Sequence, residues 1–246
     1  MIRWNWAFID RPAEVFDEAC AFWATASGTI VSERGGDNGE FATLEPARGD
    51  ACLRAQAVGG PGGAHLDLDV AEADLDAARQ LARKLGAELL ADHGYWSLVR
   101  SPGGVLFCLT TGDGREIPPP IPGPRGALSR VDQVTLDIPG SRYDDEVRFW
   151  SELTGWELRE TMRPEFLRLG VPDELPIRIL LQRLDDDRPA AGHVDIACSD
   201  VEAVAAWHES LGARRRGPGG HWLVMTDPTG GVYCLTSRDP ITGKVP

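Results

Sequence analysis

The sequence predicts an α+β protein made of two tandem copies of one unit of strands and helices. The stretch SPGGVLFCLT at 101–110 recurs as DPTGGVYCLT at 227–236, which is 126 positions later. Several other short motifs recur at offsets of 126 to 128 residues, and a Pro-rich segment lies between the copies. Because many matches at one spacing are typical of an internal repeat, the duplication determines the fold class.

The first copy contains its elements in a readable order. The alternating stretch WNWAFID at 4–10 predicts a strand. Apolar residues at helical spacing, from Val15 to Trp23, then predict a helix that Gly28 ends. The remaining predictions, in chain order, are strands at 41–44, 52–58 and 65–70, a helix at 75–85 and a closing hairpin at 95–110. The second copy repeats this order.

The repeat boundaries predict an N-terminal module at 1–111 and a C-terminal module at 128–246. Between them, the segment at 112–127 contains five prolines. Proline has no backbone N–H and is excluded from the interior of a sheet. We therefore expect a stiff linker between the two modules.

The composition excludes several classes of function. The chain has 38 acidic and 25 basic residues, a net charge of −13, which argues against nucleic acid and anionic membranes as partners. No apolar run is long enough to span a membrane, and the first residues are typical of a strand rather than a secretion signal. With five cysteines and no Cys-x-x-Cys pair, we expect a cytoplasmic protein with free thiols, either a monomer or a homodimer.

The repeated motifs resemble those of the vicinal oxygen chelate superfamily, which includes glyoxalase I, bleomycin-resistance proteins and extradiol dioxygenases. The matching features are a Phe-Trp-x4-Gly helix end, a His-x-Asp strand start, a Leu-Gly-Ala helix end and a Pro-x-Gly closing hairpin, each present twice. The resemblance implies two tandem βαβββ modules with curled mixed sheets, related by a pseudo-twofold axis, that enclose a small-molecule cavity. It does not specify a reaction, because one fold supports many chemistries.

The resemblance also implies where a metal would bind. In metal-using relatives the ligands are a His or Gln on the first strand, a His at the start of the strand after the crossover, and a Glu on the closing strand. In the C-terminal and N-terminal modules, respectively, these positions are Gln133, His193 and Cys234, and Trp6, His65 and Cys108.

We expect no resident metal or other cofactor. Trp6 has no lone pair to donate, so the N-terminal module lacks a conventional site. The cysteine that replaces the glutamate is present in both modules, which favours a packing role for it. If a divalent metal does bind, the ligands are Gln133, His193 and Cys234, and zinc suits this set best.

Strand alternation places His65, Asp67 and Asp69 on one face of their strand, opposite the apolar residues. His193 and Asp195 repeat this pattern in the second copy. Two interpretations stay open for the His-x-Asp pair: a general acid/base pair that lines the pocket, or a structural hydrogen bond that persisted after a metal was lost. Its presence in both copies favours the structural role.

We predict a ligand cavity from side chains that share the face opposite the apolar set: Trp6, Phe8, His65, Gln133, Thr135 and His193. Three functions fit such a cavity. The first is a binding protein for a small aromatic or polyketide-like metabolite, the second a divalent-metal-dependent lyase, isomerase or dioxygenase, and the third a metal-free lyase or isomerase that uses His193 and Asp195. No nucleophile elbow, phosphate-binding loop or dinucleotide fingerprint occurs. Two further histidines, His93 and His208, are expected at the surface.

Overall fold

A computed structural model describes residues 2–219 and 221–245 of the 246-residue chain. The strands of its first sheet are β1 (Ile2–Pro12), β2 (Thr29–Val31), β3 (Phe41–Pro46), β4 (Leu53–Val58), β5 (Gly63–Val70), β6 (Glu88–Asp92), β7 (Trp96–Arg100) and β8 (Leu106–Thr111). Helix α1 (Phe16–Ser27) follows β1, and helix α2 (Leu75–Lys84) follows β5.

The second half of the chain repeats this arrangement. Its strands are β9 (Ile121–Pro122), β10 (Leu128–Ile138), β11 (Leu158–Glu160), β12 (Phe166–Leu169), β13 (Arg178–Arg183), β14 (Ala191–Cys198), β15 (Arg214–Pro218), β16 (Trp222–Thr226) and β17 (Val232–Thr236). Helix α3 (Tyr143–Thr154) follows β10, and helix α4 (Val201–Ser210) follows β14.

The strands form two mixed sheets with the same topology. The first has the order β2-β3-β4-β1-β5-β8-β7-β6, and the second has the order β11-β12-β13-β10-β14-β17-β16-β15 with β9 paired to β10. This confirms the predicted two-module α+β fold. Each module contains the βαβββ order twice, once from its first strand and once from the strand after the crossover. The sequence pattern missed this doubling because β2, β6 and β11 are short edge strands with weak alternation.

Helices α1 and α3 occupy corresponding places in the two modules, as the Phe-Trp-x4-Gly motif predicts. Helix α1 buries Trp23 completely, and α3 does the same with Trp150. Each helix ends at a glycine in the left-handed conformation, Gly28 with φ 64° and Gly155 with φ 70°. Because a side chain is strained there, glycine is the residue that ends both helices most favourably.

Contacts group the chain into two compact units whose segments alternate along the sequence. The first unit comprises Met1–Ala7, His65–Arg115 and Val134–Gly192. Its aromatic core contains Phe107, Phe149 and Trp150, with ring centroids 4.9 to 5.8 Å apart. The linear module boundaries stay a prediction.

A buried glutamate connects a helix to a closing turn within this first unit. Glu146 Oε2 accepts a hydrogen bond from the backbone N–H of Gly103 at 2.6 Å, and Oε1 accepts one from Trp150 Nε1 at 2.7 Å. Burial raises the pKa of Glu146, and hydrogen bonds from Ser101 and Trp150 oppose that rise. The carboxyl thereby fixes both the helix and the Pro-x-Gly turn that precedes β8.

In the second unit an aspartate connects the corresponding elements. This unit comprises Phe8–Ala64, Glu116–Gln133 and His193–Pro246. Asp227 Oδ2 accepts hydrogen bonds from Arg11 Nη2 at 2.6 Å and from Trp23 Nε1 at 3.0 Å. Trp23 packs on Tyr233 at 5.2 Å between ring centroids. The connecting acid is thus Glu146 on helix α3 in the first unit, and Asp227 in the turn before β17 in the second.

The predicted linker is an ordered part of the fold. Its strand β9 pairs antiparallel with β10, through Pro122 opposite Leu128 and Ile121 opposite Ser129. Further upstream, a Cβ added to Gly114 would lie 2.4 Å from Trp4 Cδ2, so the backbone packs directly on that indole. The short strand was not predicted, because prolines dominate the composition of the segment.

Among residues 2–219 and 221–245, none of the helices combines the length and the apolar character that crossing a bilayer requires.

Candidate functional site

Polar side chains gather at corresponding positions of the two modules. The N-terminal polar cluster consists of Trp6, His65, Asp67, Asp69 and Cys108. The C-terminal polar cluster consists of Asp132, Gln133, His193, Asp195, Cys234 and Arg238. All of these residues are buried except Trp6 and His193, which are partly exposed. The first cluster lies within the first compact unit and the second within the second unit.

The parallel pairing of β5 with β8 builds the N-terminal polar cluster. It places Asp67 directly opposite Cys108, while His65 Nε2 lies 3.4 Å from Asp67 Oδ1. Burial and the charge of Asp67 raise the pKa of the Cys108 thiol to about 12, and His65 only partly opposes this. The thiol therefore favours its protonated form at neutral pH and can donate a hydrogen bond, and binding a metal as a thiolate would require the loss of that proton.

Trp6 completes the N-terminal polar cluster as a hydrogen-bond donor. Its indole Nε1 donates to Asp69 Oδ2 at 2.9 Å. The backbone of Gly112 approaches the same carboxylate so closely that an added Cβ would lie 1.9 Å from Asp69 Oδ2. The first-strand position, where metal-using relatives carry a ligand, thus holds an N–H donor.

The C-terminal polar cluster repeats the His-x-Asp and cysteine geometry. Asp195 lies opposite Cys234 in the parallel pairing of β14 with β17, and His193 Nε2 lies 3.4 Å from Asp195 Oδ1. Gln133 Nε2 donates a hydrogen bond to Asp195 Oδ2 at 2.5 Å. The side chain of His193 keeps 13% of its surface exposed, compared with 5% for that of Asp195.

Arg238, which sequence reasoning missed, places a positive charge in this cluster. Its Nη2 lies 2.5 Å from Asp132 Oδ1, and its Nη1 lies 4.0 Å from Asp195 Oδ2. Burial disfavours the guanidinium charge, but Asp132 and Asp195 outweigh that effect and raise the pKa of Arg238. One sequence signal was available: 126 positions earlier, the repeat has Gly112 in place of this arginine.

The six residues predicted to line one cavity are divided between the units. Trp6, His65 and Thr135 belong to the first unit, while Phe8, Gln133 and His193 belong to the second. His65 contacts Asp67, and Gln133 and His193 both contact Asp195. Their assignment to a single ligand cavity stays a prediction.

Two of the six are packed as core residues within their own units. Phe8 is 3% exposed and meets Phe41 edge to face at 6.4 Å between ring centroids. Arg54 lies over the Phe8 ring at 5.8 Å. Thr135 is 1% exposed. A ligand would therefore reach these two side chains only after local rearrangement.

The surface position expected for His208 is wrong. His208 is fully buried, its Nδ1 lies 2.9 Å from the hydroxyl of Tyr233, and burial lowers its pKa to about 4. The sequence did contain an indication of this burial: His208 lies four residues after the buried Val204 and therefore on the same inner face of α4. His93 is exposed, as predicted, and its ring stacks on that of Trp96.

Both clusters contain a candidate metal-binding group. The possible ligand atoms of His65, Asp67 and Cys108 lie within 4.8 Å of one another, and so do those of His193, Asp195 and Cys234. The C-terminal group differs from the predicted ligand set, because Asp195 takes the place of Gln133. Imidazole, carboxylate and thiolate together are donors that a divalent transition metal can use.

Two features of this arrangement oppose the binding of a divalent ion. Binding to Cys108 requires loss of a proton from a thiol whose pKa is about 12. In the C-terminal polar cluster, Gln133 directs an N–H at Asp195, and the Arg238 guanidinium faces the same carboxylate. Either feature competes with a cation for Asp195. All five cysteines lie in the described ranges and are buried free thiols.

Comparisons with solved structures place the fold among dioxygenases and glyoxalases. The 2,2',3-trihydroxybiphenyl 1,2-dioxygenase of Sphingomonas wittichii is 15% identical, with a TM-score of 0.65 over 96% of this chain and 90% of that one. A Mn(II)-bound glyoxalase of Novosphingobium aromaticivorans is 18% identical, with a TM-score of 0.63 over 99% and 84%. The homoprotocatechuate 2,3-dioxygenase of Arthrobacter globiformis is 16% identical, with a TM-score of 0.64 over 99% and 82%. At these identities the likeness is one of fold.

No curated protein matches the sequence. The family model described as "Glyoxalase-like domain" matches twice, at 6–110 and at 133–236, which together are most of the chain. These two matches agree with the duplication and with the two sheets of identical topology. The chain therefore belongs to the glyoxalase-like domain family and contains that domain in two copies.

Proposed function

We propose that this protein binds a small aromatic or polyketide-like metabolite in a metal-poor site that includes the C-terminal polar cluster. One observation carries the proposal. His193 is partly exposed, whereas Asp195 and Arg238 in the same cluster are buried, and Asp195 Oδ1 lies 3.4 Å from His193 Nε2. An imidazole that is oriented by a buried carboxylate and still reachable is a hydrogen-bonding group suited to a ligand.

Replacement of the glutamate by cysteine in both modules supports a metal-poor site. Burial raises the pKa of the Cys108 thiol to about 12, and Cys234 lies opposite Asp195 at the corresponding position of the C-terminal module. A cysteine does not supply the oxygen ligand that the glutamate of metal-using relatives supplies. Binding of an organic ligand through hydrogen bonds does not require that ligand.

The N-terminal polar cluster by itself also presents a group suited to an aromatic ligand. Trp6 is partly exposed, and its hydrogen bond to Asp69 restrains the indole ring. A restrained indole offers a flat surface on which an aromatic ring can stack. Two structural relatives are named as dioxygenases of a trihydroxybiphenyl and of homoprotocatechuate, both aromatic compounds.

A divalent-metal-dependent lyase, isomerase or dioxygenase is the second candidate. It is favoured by the proximity of His193, Asp195 and Cys234, whose ligand atoms lie within 4.8 Å of one another. Metal analysis of protein purified without chelator or metal affinity resin separates the candidates. Near-stoichiometric metal that is lost in His193→Ala would contradict the metal-poor site of the first candidate and favour the second.

The binding proposal is tested with a metabolite screen on the full chain. Hits from thermal shift and tryptophan fluorescence are confirmed by calorimetry, then measured again with Trp6→Ala, His193→Ala and, as a matched control, the exposed His93→Ala. Loss of an aromatic stack or a buried hydrogen bond costs roughly 1–3 kcal/mol, so affinity should fall roughly 5- to 150-fold in the relevant variant. Unchanged affinity in both folded cluster variants would contradict the proposed site.

A further inference from the structure

We infer that the guanidinium of Arg238 takes the place of a metal ion in the C-terminal polar cluster and determines that this cluster is not a metal site. The inference rests on the proposed function in one respect, the metal-poor character of the native protein. It adds a specific residue that is responsible for this character. Arg238 is thereby a residue that determines whether this cluster binds a metal ion, and the other copy of the repeat has Gly112 at its position.

The charges of the cluster require a cation. Asp132 and Asp195 are both buried, and two carboxylates in a shared low-dielectric environment need a positive partner. Arg238 meets both of them, at 2.5 Å from Asp132 Oδ1 and 4.0 Å from Asp195 Oδ2. The guanidinium is permanently charged, so this partner is present at every pH at which the protein is folded.

The guanidinium also faces the carboxylate on which a metal ion would depend. Asp195 Oδ1 is the oxygen near His193, and Oδ2 is the oxygen near Gln133 and Arg238. A divalent ion bound to Asp195 Oδ1 would therefore be separated from the positive charge of Arg238 only by the carboxylate group of Asp195. At the effective dielectric constant of a protein, such repulsion lowers affinity on the order of 100-fold or more.

The repeat supplies an internal comparison. In the N-terminal module the position of Arg238 is occupied by Gly112, and the position of Asp132 is occupied by Asn5. Asn5 instead donates from Nδ2 to the carbonyl oxygen of Ile177 at 2.7 Å. The acid and its cation thus occur together in one copy and are both replaced in the other, as expected for two residues that act as a charge-matched pair.

The test measures Co²⁺ binding to the purified full chain by calorimetry and by thiolate-to-cobalt absorption. Arg238→Met removes the charge, and Arg238→Lys is the matched control that keeps it. We expect Arg238→Met to bind Co²⁺ on the order of 100-fold more tightly than the wild type, and the lysine variant to resemble the wild type. The gain should disappear in the double variant Arg238→Met/His193→Ala.

A second variant covers the case in which Arg238→Met folds poorly. Arg238→Met/Asp132→Asn removes both members of the charged pair and retains the three candidate ligands. Co²⁺ should raise the melting temperature of both variants but not that of the wild type. Absence of tighter binding and of this thermal rescue in both variants would overturn the inference. A failed ligand screen would overturn the proposed function alone, since the Co²⁺ measurement uses no organic ligand.

Discussion

The N-terminal and C-terminal polar clusters contain the same His-x-Asp strand start and the same cysteine but differ in what surrounds them. In the first, Trp6 donates its N–H to Asp69 beside the bare backbone of Gly112. In the second, Gln133 donates to Asp195, and Arg238 adds a positive charge. The strand pairing fixes the shared part, whereas the neighbouring residues set the charge and the available donors. Duplication has therefore preserved a scaffold and allowed its electrostatics to diverge.

The largest expected effect concerns the charge pair of the C-terminal polar cluster. Arg238→Met leaves Asp132 and Asp195 buried without their guanidinium partner, which should lower the free energy of unfolding by about 3–5 kcal/mol. Urea denaturation measures this loss. In the double variant with Asp132→Asn most of the stability should return, because the uncompensated carboxylate is removed too. A loss below about 1 kcal/mol in Arg238→Met would mean that the pair is not a determinant of this cluster.

A smaller effect should be seen in how His208 makes the free energy of unfolding depend on pH. Burial lowers the pKa of His208 to about 4, whereas the unfolded chain has a value near 6.5. Between these values the unfolded state binds a proton that the folded state does not. The neutral His208 therefore makes its full contribution to the free energy of unfolding above pH 6.5. That contribution is lost as the pH falls toward 4, and the loss is about 3 kcal/mol at most.

His208→Gln is the variant that tests this pH response, because glutamine can still hydrogen-bond the Tyr233 hydroxyl. The difference in unfolding free energy between wild type and variant, followed by urea denaturation from pH 7 to 4, should change in that window. The N-terminal module has the buried Ala82 at the corresponding position, so the effect belongs to the second unit alone. A difference that does not change with pH would show that the ring titrates normally.

The smallest expected effect concerns the N-terminal polar cluster. Gly112→Ala places a Cβ where Asp69 Oδ2 now lies, so the carboxylate must shift and its bond to Trp6 must distort. We expect a loss of roughly 1–3 kcal/mol by thermal or urea unfolding. Gly59→Ala is the matched control, since no heavy atom lies within 4 Å of its added Cβ. Equal stability of the two variants would show that this cluster tolerates a side chain at 112.

Much of the fold could be predicted from the sequence because its signals are local. The Phe-Trp-x4-Gly motif identified α1 and α3, since a glycine at positive φ ends each helix. The His-x-Asp motif identified the strands that bring Asp67 opposite Cys108 and Asp195 opposite Cys234. The second βαβββ unit of each module was missed, because short edge strands bury few residues and so show little alternation.

The parts of the site that were missed depend on contacts distant in sequence. Arg238 and Asp132 are 106 residues apart, and neither position alone indicates a buried ion pair. Charged residues are usually solvated, so residue type alone does not indicate that either is buried. His208 was misassigned for the same reason, although its place on the inner face of α4 was readable. A position-by-position comparison of the two copies shows that Arg238 corresponds to Gly112, and this difference marks Arg238 as specific to the C-terminal module.

The contact of Asp227 with Arg11 and Trp23 has a consequence for biosynthesis. It joins Arg11 to a residue 216 positions later in the chain. At a translation rate of roughly 5–20 residues per second, the first helix waits about 10–40 seconds before the acid that binds its tryptophan is made. During that interval the apolar face of α1 lacks its final partners, Tyr233 among them. The nascent chain is therefore exposed to aggregation and to chaperones until Asp227 and Tyr233 have left the ribosome.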